Sequence, residues 1–516
     1  MNRALFKFYL EPFYLGIPFR SAVVLIALGT ASFLGLGSIK IPVAFLVILI
    51  ILSVIERYDN KLLQNLVSYL MLPNKFNPEN SMEPGEKLRG KPFGDLLPWC
   101  EIVDAEYRGC TIIVNKDGSL QSSFKVSGID ALSNANGGLD AQHLVNRALT
   151  GLSEHKTVLN FETRRVRTDY TDSLAPVTDS DDMSFAMKLF QGEIIETVKS
   201  NPFFKNELYL TIVLKPQKER AVVKGVSNLF VKKEGEQGLD ETDRDQMDVF
   251  KKTLDRLIDG SGSLGLEPLS KETTLRYLHS CVSPPAKKEA CFMEWRGDFS
   301  ELPGEALVKS LNPMLGNSYI FCVGVKDLPA IVNESLMHDF SRLDLEYRWM
   351  TRIALFHKEK SLSFLKSQKT TWRNASLNFG SLFRSMLTQE DVYERDQKFE
   401  TSMAERFDEA IDHVKSGDYA LCSFSSSFLI LDRDEKSGEK KAQQIQRLLS
   451  SHGYTPVVER LNTAKAWISS IPGTVHINSR QFVISTDDAS RLLSMLSYWE
   501  GANGDGDELF ITGGMG

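Results

Sequence analysis

The sequence predicts a mixed α/β, or α+β, fold set behind an N-terminal pair of membrane helices. Three observations lead there. Runs rich in β-branched residues alternate with helical periods through most of 98–516. A tight-turn pair at Asp117-Gly118 imposes antiparallel pairing near the start of that region, and two uncharged apolar runs lie within 21–55. At 516 residues the chain has room for three or four units. Its 42% hydrophobic and 25% charged content supports a large core and excludes wholesale disorder. A formal net charge of -7 excludes a strongly basic nucleic-acid binder, and no sequence-specific nucleic-acid contact is expected. The six cysteines stand far apart with no C-x-x-C pair. That argues against a disulfide framework or structural zinc and fits a reducing compartment.

Residues 1–71 are the expected membrane-anchoring segment. From Ser21 to Ile55 the chain reads SAVVLIALGTASFLGLG, then SIK, then IPVAFLVILIILSVI, and Lys40 is the only charge. A bilayer core takes about 20 apolar residues per helix and tolerates about 17, so each run is just long enough. Gly37 and Ser38 break the runs, and Pro42 suits the first turn of a second helix. The reading is a helical hairpin that crosses twice; a single long tilted helix or a re-entrant loop is the alternative. A cleaved signal peptide fits less well, because a long stretch precedes the first run and a second apolar run follows it. Arg3, Lys7 and Arg20 lie before the hairpin, and Arg57 and Lys61 after it. The positive-inside rule then places both termini and the bulk of the chain in the cytoplasm.

Residues 72–97, rich in Pro, Gly, Asn and charge, read as a linker. A first mixed α/β domain spans 98–330. It opens on the hairpin CTIIVNKDGSLQSSFKVSG, where Asp117-Gly118 accepts the positive φ of a tight turn. Helical patterns follow at 140–154, 184–199, 246–258 and 270–280, and strand patterns at 156–166, 207–216 and 318–325. The charge-dense stretch 217–245 reads as a surface excursion. A second mixed α/β domain spans 331–516, with strands at 345–356, 419–432 and 455–459 and helices at 372–416, 438–452 and 462–469.

Chemical motifs are scarce. Gly85 to Lys91 has the spacing G-x-x-x-x-G-K of a phosphate loop, but Pro92 stands where a hydroxyl should hold magnesium and no apolar strand precedes it. Gly260, Gly262 and Gly265 match G-x-G-x-x-G, yet a helical pattern comes before them instead of a strand. Asp432 closes the apolar run FLILD as a magnesium-holding aspartate would; the turn residues after it explain it as well. The eight histidines are scattered, and Ser425-Ser426-Ser427 lacks the glycines of a nucleophile elbow. Arg164-Arg165-Val166-Arg167 reads as a solvated strand edge, with a contact surface for an acidic partner as the second reading.

The order of features nevertheless resembles the region before the motor of the type IV secretion and conjugative-transfer ATPases, the CagE/TrbE/VirB family. The carrying residues are AERFDEAIDHVKSGDYALCSFSSSFLILDRD, with Asp408, Glu409, Ala410 and Gly417, and the element from Ala466 to Pro472-Gly473. Arg480, Ser485-Thr486 and Ala489 follow, and the early hairpin IIVNKDGSLQSSFKVSGID looks like the family's first strand pair. LFKFYLEPFYLGIPFRSAVVL, with Pro12, Gly16, Ile17 and Pro18, resembles the small inner-membrane subunit of the same machines, fused here to the N-terminus.

The resemblance implies an ATPase family, but the chain reaches Gly516 without the expected phosphate loop. It is therefore expected to be the membrane and N-terminal portion of such an ATPase, whether a truncated product, a split gene or a fragment. No catalytic, cofactor-binding or metal residue is assigned to it, and ATP and magnesium belong to a motor module in cis or in trans. The implied partners are other inner-membrane and channel subunits, an ATPase module and the inner membrane, in an oligomeric assembly. The tail after about Trp499 is expected to be disordered alone. A free-standing membrane-anchored sensor with a ligand-binding domain is the competing class.

Overall fold

The computed structural model describes residues 13–14, 17–18, 61–78, 91–103, 107–130, 137–168, 193, 196, 203–216, 241–260, 264–284, 298–329, 336, 339–340, 342–376, 405–475, 480–493 and 496–497. The expected hairpin at 21–55 and the C-terminal tail lie outside these residues, and of the helix expected at 184–199 only 193 and 196, both helical, are among them. Among the described residues no helix is long and apolar enough to cross a membrane.

The order begins with α1 (Leu62–Met71), β1 (Lys75–Asn77), β2 (Lys91–Pro92), β3 (Trp99–Ile102), β4 (Ile113–Asn115), β5 (Leu120–Val126), α2 (Gly137–Leu152), β6 (Thr157–Thr168) and β7 (Phe203–Leu214). It continues with α3 (Glu241–Gly260), β8 (Leu266–Pro268), α4 (Lys271–Val282), β9 (Leu307–Val308), β10 (Met314–Leu315), β11 (Ser318–Asp327) and β12 (Tyr347–Leu355). Then come α5 (Lys358–Ser376), α6 over 405–416, β13 (Leu421–Asp432), α7 (Glu435–Ser451), β14 (Thr455–Val458), α8 (Thr463–Ser469), β15 (Phe482–Ser485) and α9 (Thr486–Leu492). Of the polar helix expected over 372–416, α5 supplies 372–376 and α6 supplies 405–416, and α5 begins earlier, at Lys358, directly after β12.

These fifteen strands join one sheet, in the order β2-β1-β9-β10-β11-β13-β12-β6-β7-β5-β4-β3, with β8 on β5, β14 on β11 and β15 on β13. Its pairs are antiparallel except β1 with β2. The expected hairpin is β4–β5, turned at Gly118 with φ +80°. The sheet runs unbroken across the stretch between 330 and 331, because β6 pairs with β12 from Val158↔Ala354 to Arg165↔Tyr347.

Period-two alternation sorts the side chains of the central strands. On one face Leu159 and Phe161 of β6, Ile353 of β12 and Phe424 of β13 join Leu149 of α2, Phe250 and Leu254 of α3, and Ala489 of α9. Farther along that face, Phe321, Trp349, Phe428 and Ile430 pack under Ala442, Ile445 and Leu449 of α7. On the opposite face Trp99, Leu429, Tyr277 and Leu278 of α4, and Trp467 and Ile468 of α8 form a second core. Burial of each such large side chain contributes roughly 1.5–3 kcal/mol, so the sheet is held from both sides.

The stretch expected to be a linker contributes to this core. Phe76, Phe93 and Leu97 are buried in it, and β1 pairs with both β2 and β9. Apolar residues spaced among Pro and Gly were enough to seat short edge strands there.

Candidate functional site

The central strands carry an unusual polar band on the face covered by α4 and α8. Strand register places Ser123 beside Thr211, Thr211 beside Asn160, Asn160 beside Arg352 and Arg352 beside Ser425. Two residues along β6, Glu162 lies opposite Tyr209 and Met350; two further, Arg164 lies opposite Glu207 and Arg348. Glu162, Arg164, Arg348 and Arg352 sit mid-sheet, with strands on both sides.

Glu162 is the centre of the band, and its side chain is wholly buried. Its Oε1 accepts from Arg164 Nε at 2.5 Å and from Arg348 Nε at 2.7 Å, while Oε2 accepts from Tyr277 Oη at 3.0 Å. Arg164 also donates to Ser280 Oγ and to Cys281 Sγ, and Arg348 Nη1 donates to the Cys281 carbonyl at 3.1 Å. The Arg164 guanidinium lies over the rings of Tyr209 and Tyr277, 5.1 and 4.9 Å from their centroids, and those rings stack at 4.5 Å. Helix α4 is thus tied to β6 and β12 through one carboxylate.

Burial alone would raise the Glu162 carboxyl, but the Arg164 and Arg348 guanidiniums outweigh it and hold it down at about 2. Burial, with Glu162 second, pushes the Cys281 thiol up to about 11. A thiol held there is a poor nucleophile at neutral pH. Arg352 donates to neutral partners, Asn160 Oδ1 at 2.8 Å and the Ser469 carbonyl of α8; burial pushes it down to about 10. This arrangement holds charges together, and it offers no activated nucleophile beside a base. A shallow pocket opens to solvent beside it, walled by Arg164, Arg165, His279, Ser280, Arg348 and Leu431, among others.

The solvated-edge reading of Arg164-Arg165-Val166-Arg167 is corrected here. Arg164 and Arg165 are each 7% exposed, because β12 and β7 flank β6 almost to its end. Arg165 Nε donates to the Leu343 carbonyl at 2.9 Å, and its guanidinium lies over Phe204. Only Arg167 of the three is exposed.

The other sequence candidates serve the fold. Lys91 and Pro92 form β2 beside Phe76 and Asn77, and a 3-10 turn follows at Phe93–Leu96. Gly260 ends α3, and Gly265, at φ +57°, lies in the loop before β8, where its carbonyl accepts from Ser127 N. Asp432 accepts from Lys441 Nζ at 2.7 Å, Ser437 Oγ at 2.8 Å and Asp434 N at 3.0 Å, which fastens the start of α7. Ser426 Oγ accepts from Trp349 Nε1 at 2.7 Å. Among the described residues no group of three His, Cys, Asp or Glu is placed to hold a metal.

The residues that carried the family resemblance meet at joints between distant parts of the chain. The Pro472 carbonyl accepts from Trp99 Nε1 at 2.8 Å. Gly473, at φ +90°, lies so close to β5 that a Cβ there would be 2.2 Å from Gln121 Oε1. Arg480 forms a buried pair with Glu459, Nη2 to Oε2 at 3.1 Å. Ser485 caps α9 by accepting from Asp488 N at 3.0 Å, and Thr486 Oγ1 donates to Asn146 of α2 at 2.7 Å. Asp408 is exposed and pairs with Lys369. Sequence reading passed over Glu162, Arg348 and Arg352, although a signal was present. NFETRRV and YRWMTRI each place charged residues at even spacing, hence on one strand face.

Two family models match the chain. Residues 111–221 match the N-terminal domain of the type IV secretion system ATPase VirB4/TrbE, and residues 381–480 match the CagE, TrbE, VirB family, a component of the type IV transporter system. The chain is 26% identical over 197 residues to the second portion of a probable conjugal transfer protein TrbE of Sinorhizobium fredii (strain NBRC 101917 / NGR234), covering 38% of this chain and 29% of that protein. It is 24% identical over 197 residues to the conjugal transfer protein TrbE of Rhizobium radiobacter, covering 38% of this chain and 23% of that one. The matched stretch therefore spans under a third of either relative. The chain thus carries two segments similar to the TrbE/VirB4 type IV secretion ATPases and the CagE, TrbE, VirB transporter component. The first matched segment supplies β4 to β7, the second supplies β13 and β14, and β12, with Arg348 and Arg352, lies between them in the sheet and outside both matches.

Proposed function

We propose that this chain is the membrane-anchored docking platform of a conjugal-transfer or type IV secretion ATPase, coupling the inner-membrane complex to an ATP-driven motor. One observation carries the reading: the two family-matched segments are built into a single sheet, joined by β12, and they meet directly where Gly473 backs onto Gln121 and Asn146 Nδ2 donates to the Asp418 carbonyl at 3.3 Å. A platform that bears a motor must transmit load without its halves sliding, and a continuous sheet covered on both faces does so. The apolar run at 21–55 supplies the anchor, and ATP and magnesium are handled by the motor module. Chemical crosslinking of native membranes followed by purification of this chain tests it. Recovery of a type IV secretion ATPase motor or channel subunit is expected.

The pocket beside Arg164 and Arg348 favours a second reading, a membrane-anchored sensor that binds a small ligand there. Crosslinking that recovers no secretion subunit, together with a ligand retained by the purified chain, would replace the platform with that sensor.

A further inference from the structure

Helix α1 presents apolar side chains outward and polar ones inward. Asn65 is 2% exposed, and Ser68 Oγ accepts from Lys465 Nζ of α8 at 3.0 Å. Leu66, Val67, Leu70 and Met71 are instead 39%, 51%, 69% and 80% exposed. At about 100° per residue these four fall within roughly 140° of the helix circumference, a single apolar stripe. Val308 and Leu311, on either side of Lys309, are also exposed. Contiguous apolar surface of this kind marks a contact with a partner or a membrane.

Charge selects the occupant. From Lys61 to Asn77 there is no acidic residue. Lys61 begins the helix, and Lys309 Nζ donates to the Tyr69 and Leu72 carbonyls at 3.0 and 2.6 Å, lying 4.8 Å from the Tyr69 ring centroid. Lys465 meets the helix from α8, and Lys75 follows it in β1. Connectivity selects the same occupant. Only six residues separate Ile55, the end of the apolar run, from Leu62, and such a connector reaches about 20–25 Å at most. If the run crosses the bilayer, α1 has no choice but to lie near its surface.

We propose that α1 lies on the anionic face of the membrane, its Leu66, Val67, Leu70 and Met71 seated among the lipid headgroups and upper acyl chains. Lys61 and Lys75, at the two ends of the helix, then lie near lipid phosphates. The proposal rests on the reading that 21–55 anchors the chain. The surface sets the sheet against the membrane at the β1–β9 end, and so fixes the direction in which the rest of the platform faces.

The test places a photoreactive diazirine amino acid at position 71 of the full chain, irradiates native membranes and identifies the adduct by mass spectrometry, with carbonate extraction in parallel. A chain retained in the pellet and carrying a phospholipid adduct is expected. Retention with an adduct to residues 1–60, to a second copy or to another protein overturns the proposal and leaves the anchor standing. If carbonate releases the chain, the anchoring reading fails, and purified full chain is floated on vesicles with roughly 30 mol% anionic lipid. Binding that falls at least about tenfold in Leu70→Asp/Met71→Asp and in high salt upholds the membrane contact; no binding, or binding unchanged in the variant, overturns it.

Discussion

Arg348 reaches diagonally across two paired strands to Glu162, Nε to Oε1 at 2.7 Å, with the carboxylate fully buried and the arginine side chain 11% exposed. Arg348 belongs to β12, outside both family-matched segments, whereas Glu162 belongs to the first. Taking two charges out of water costs several kcal/mol, and only close geometry offsets it. The pair shares its carboxylate with Arg164 and Tyr277, so every group at the joint depends on Glu162.

Glu162→Gln should therefore destabilise the chain by about 3–5 kcal/mol, because two arginines lose their buried counter-charge. Denaturant unfolding in detergent measures this. A double change of Glu162→Leu with Arg348→Met should cost less than the two single changes added together. Additivity would show that the pair is not coupled.

The acid limb of stability should bear the same signature. Glu162 is lowered from its ordinary value of 4.5 to about 2, so its contribution is complete above about pH 4.5 and is lost as pH falls towards 2. The stability gap between wild type and Glu162→Gln should be constant from pH 7 to about 5 and should narrow below it. A gap that widens on acidification would contradict the assignment.

Glycine at the joint should matter more than glycine in the open. Gly473→Ala forces a Cβ against Gln121 at φ +90° and should cost more than about 2 kcal/mol. Gly417, at φ +85° with open space around it, should tolerate alanine for about 1 kcal/mol. Thermal melts of the two variants check the order, and equal losses would show that the close packing of Pro472-Gly473 adds nothing to stability.

The purified full chain should hydrolyse no ATP above a protein-free control, and Lys91→Ala should change nothing. Lys91 lies in a strand beside Phe76, where no helix N-terminus follows to cradle phosphate. Magnesium-dependent phosphate release abolished by Lys91→Ala would restore the phosphate-loop reading.

Much of the fold was legible because alternation and turn chemistry are local. LCSFSSSFLILD, SYIFCVGV and the Asp117-Gly118 hairpin became strands where expected, and the helices at Gly137–Leu152, Glu241–Gly260 and Glu435–Ser451 overlap their patterns. What alternation cannot disclose is the neighbour of each strand. Arg164 and Arg165 look like an edge until Tyr347–Leu355, nearly two hundred residues on, is seen to pair outside them. The joint of Gly473 with Gln121 was hidden for the same reason, although Pro472-Gly473 was singled out. Phe76 and Phe93 were overlooked because Pro and Gly around them suggested a linker, and burial by distant residues prevailed over that composition.

Joined through β12, the two matched segments should unfold as one cooperative body. Hydrogen exchange of the full chain under rising denaturant tests it most directly, comparing amides of β6 with those of β13. Both strands should lose protection in one transition, and Glu162→Gln should shift both by the same amount. Protection lost from Thr157–Thr168 while Leu421–Asp432 stays closed would contradict it.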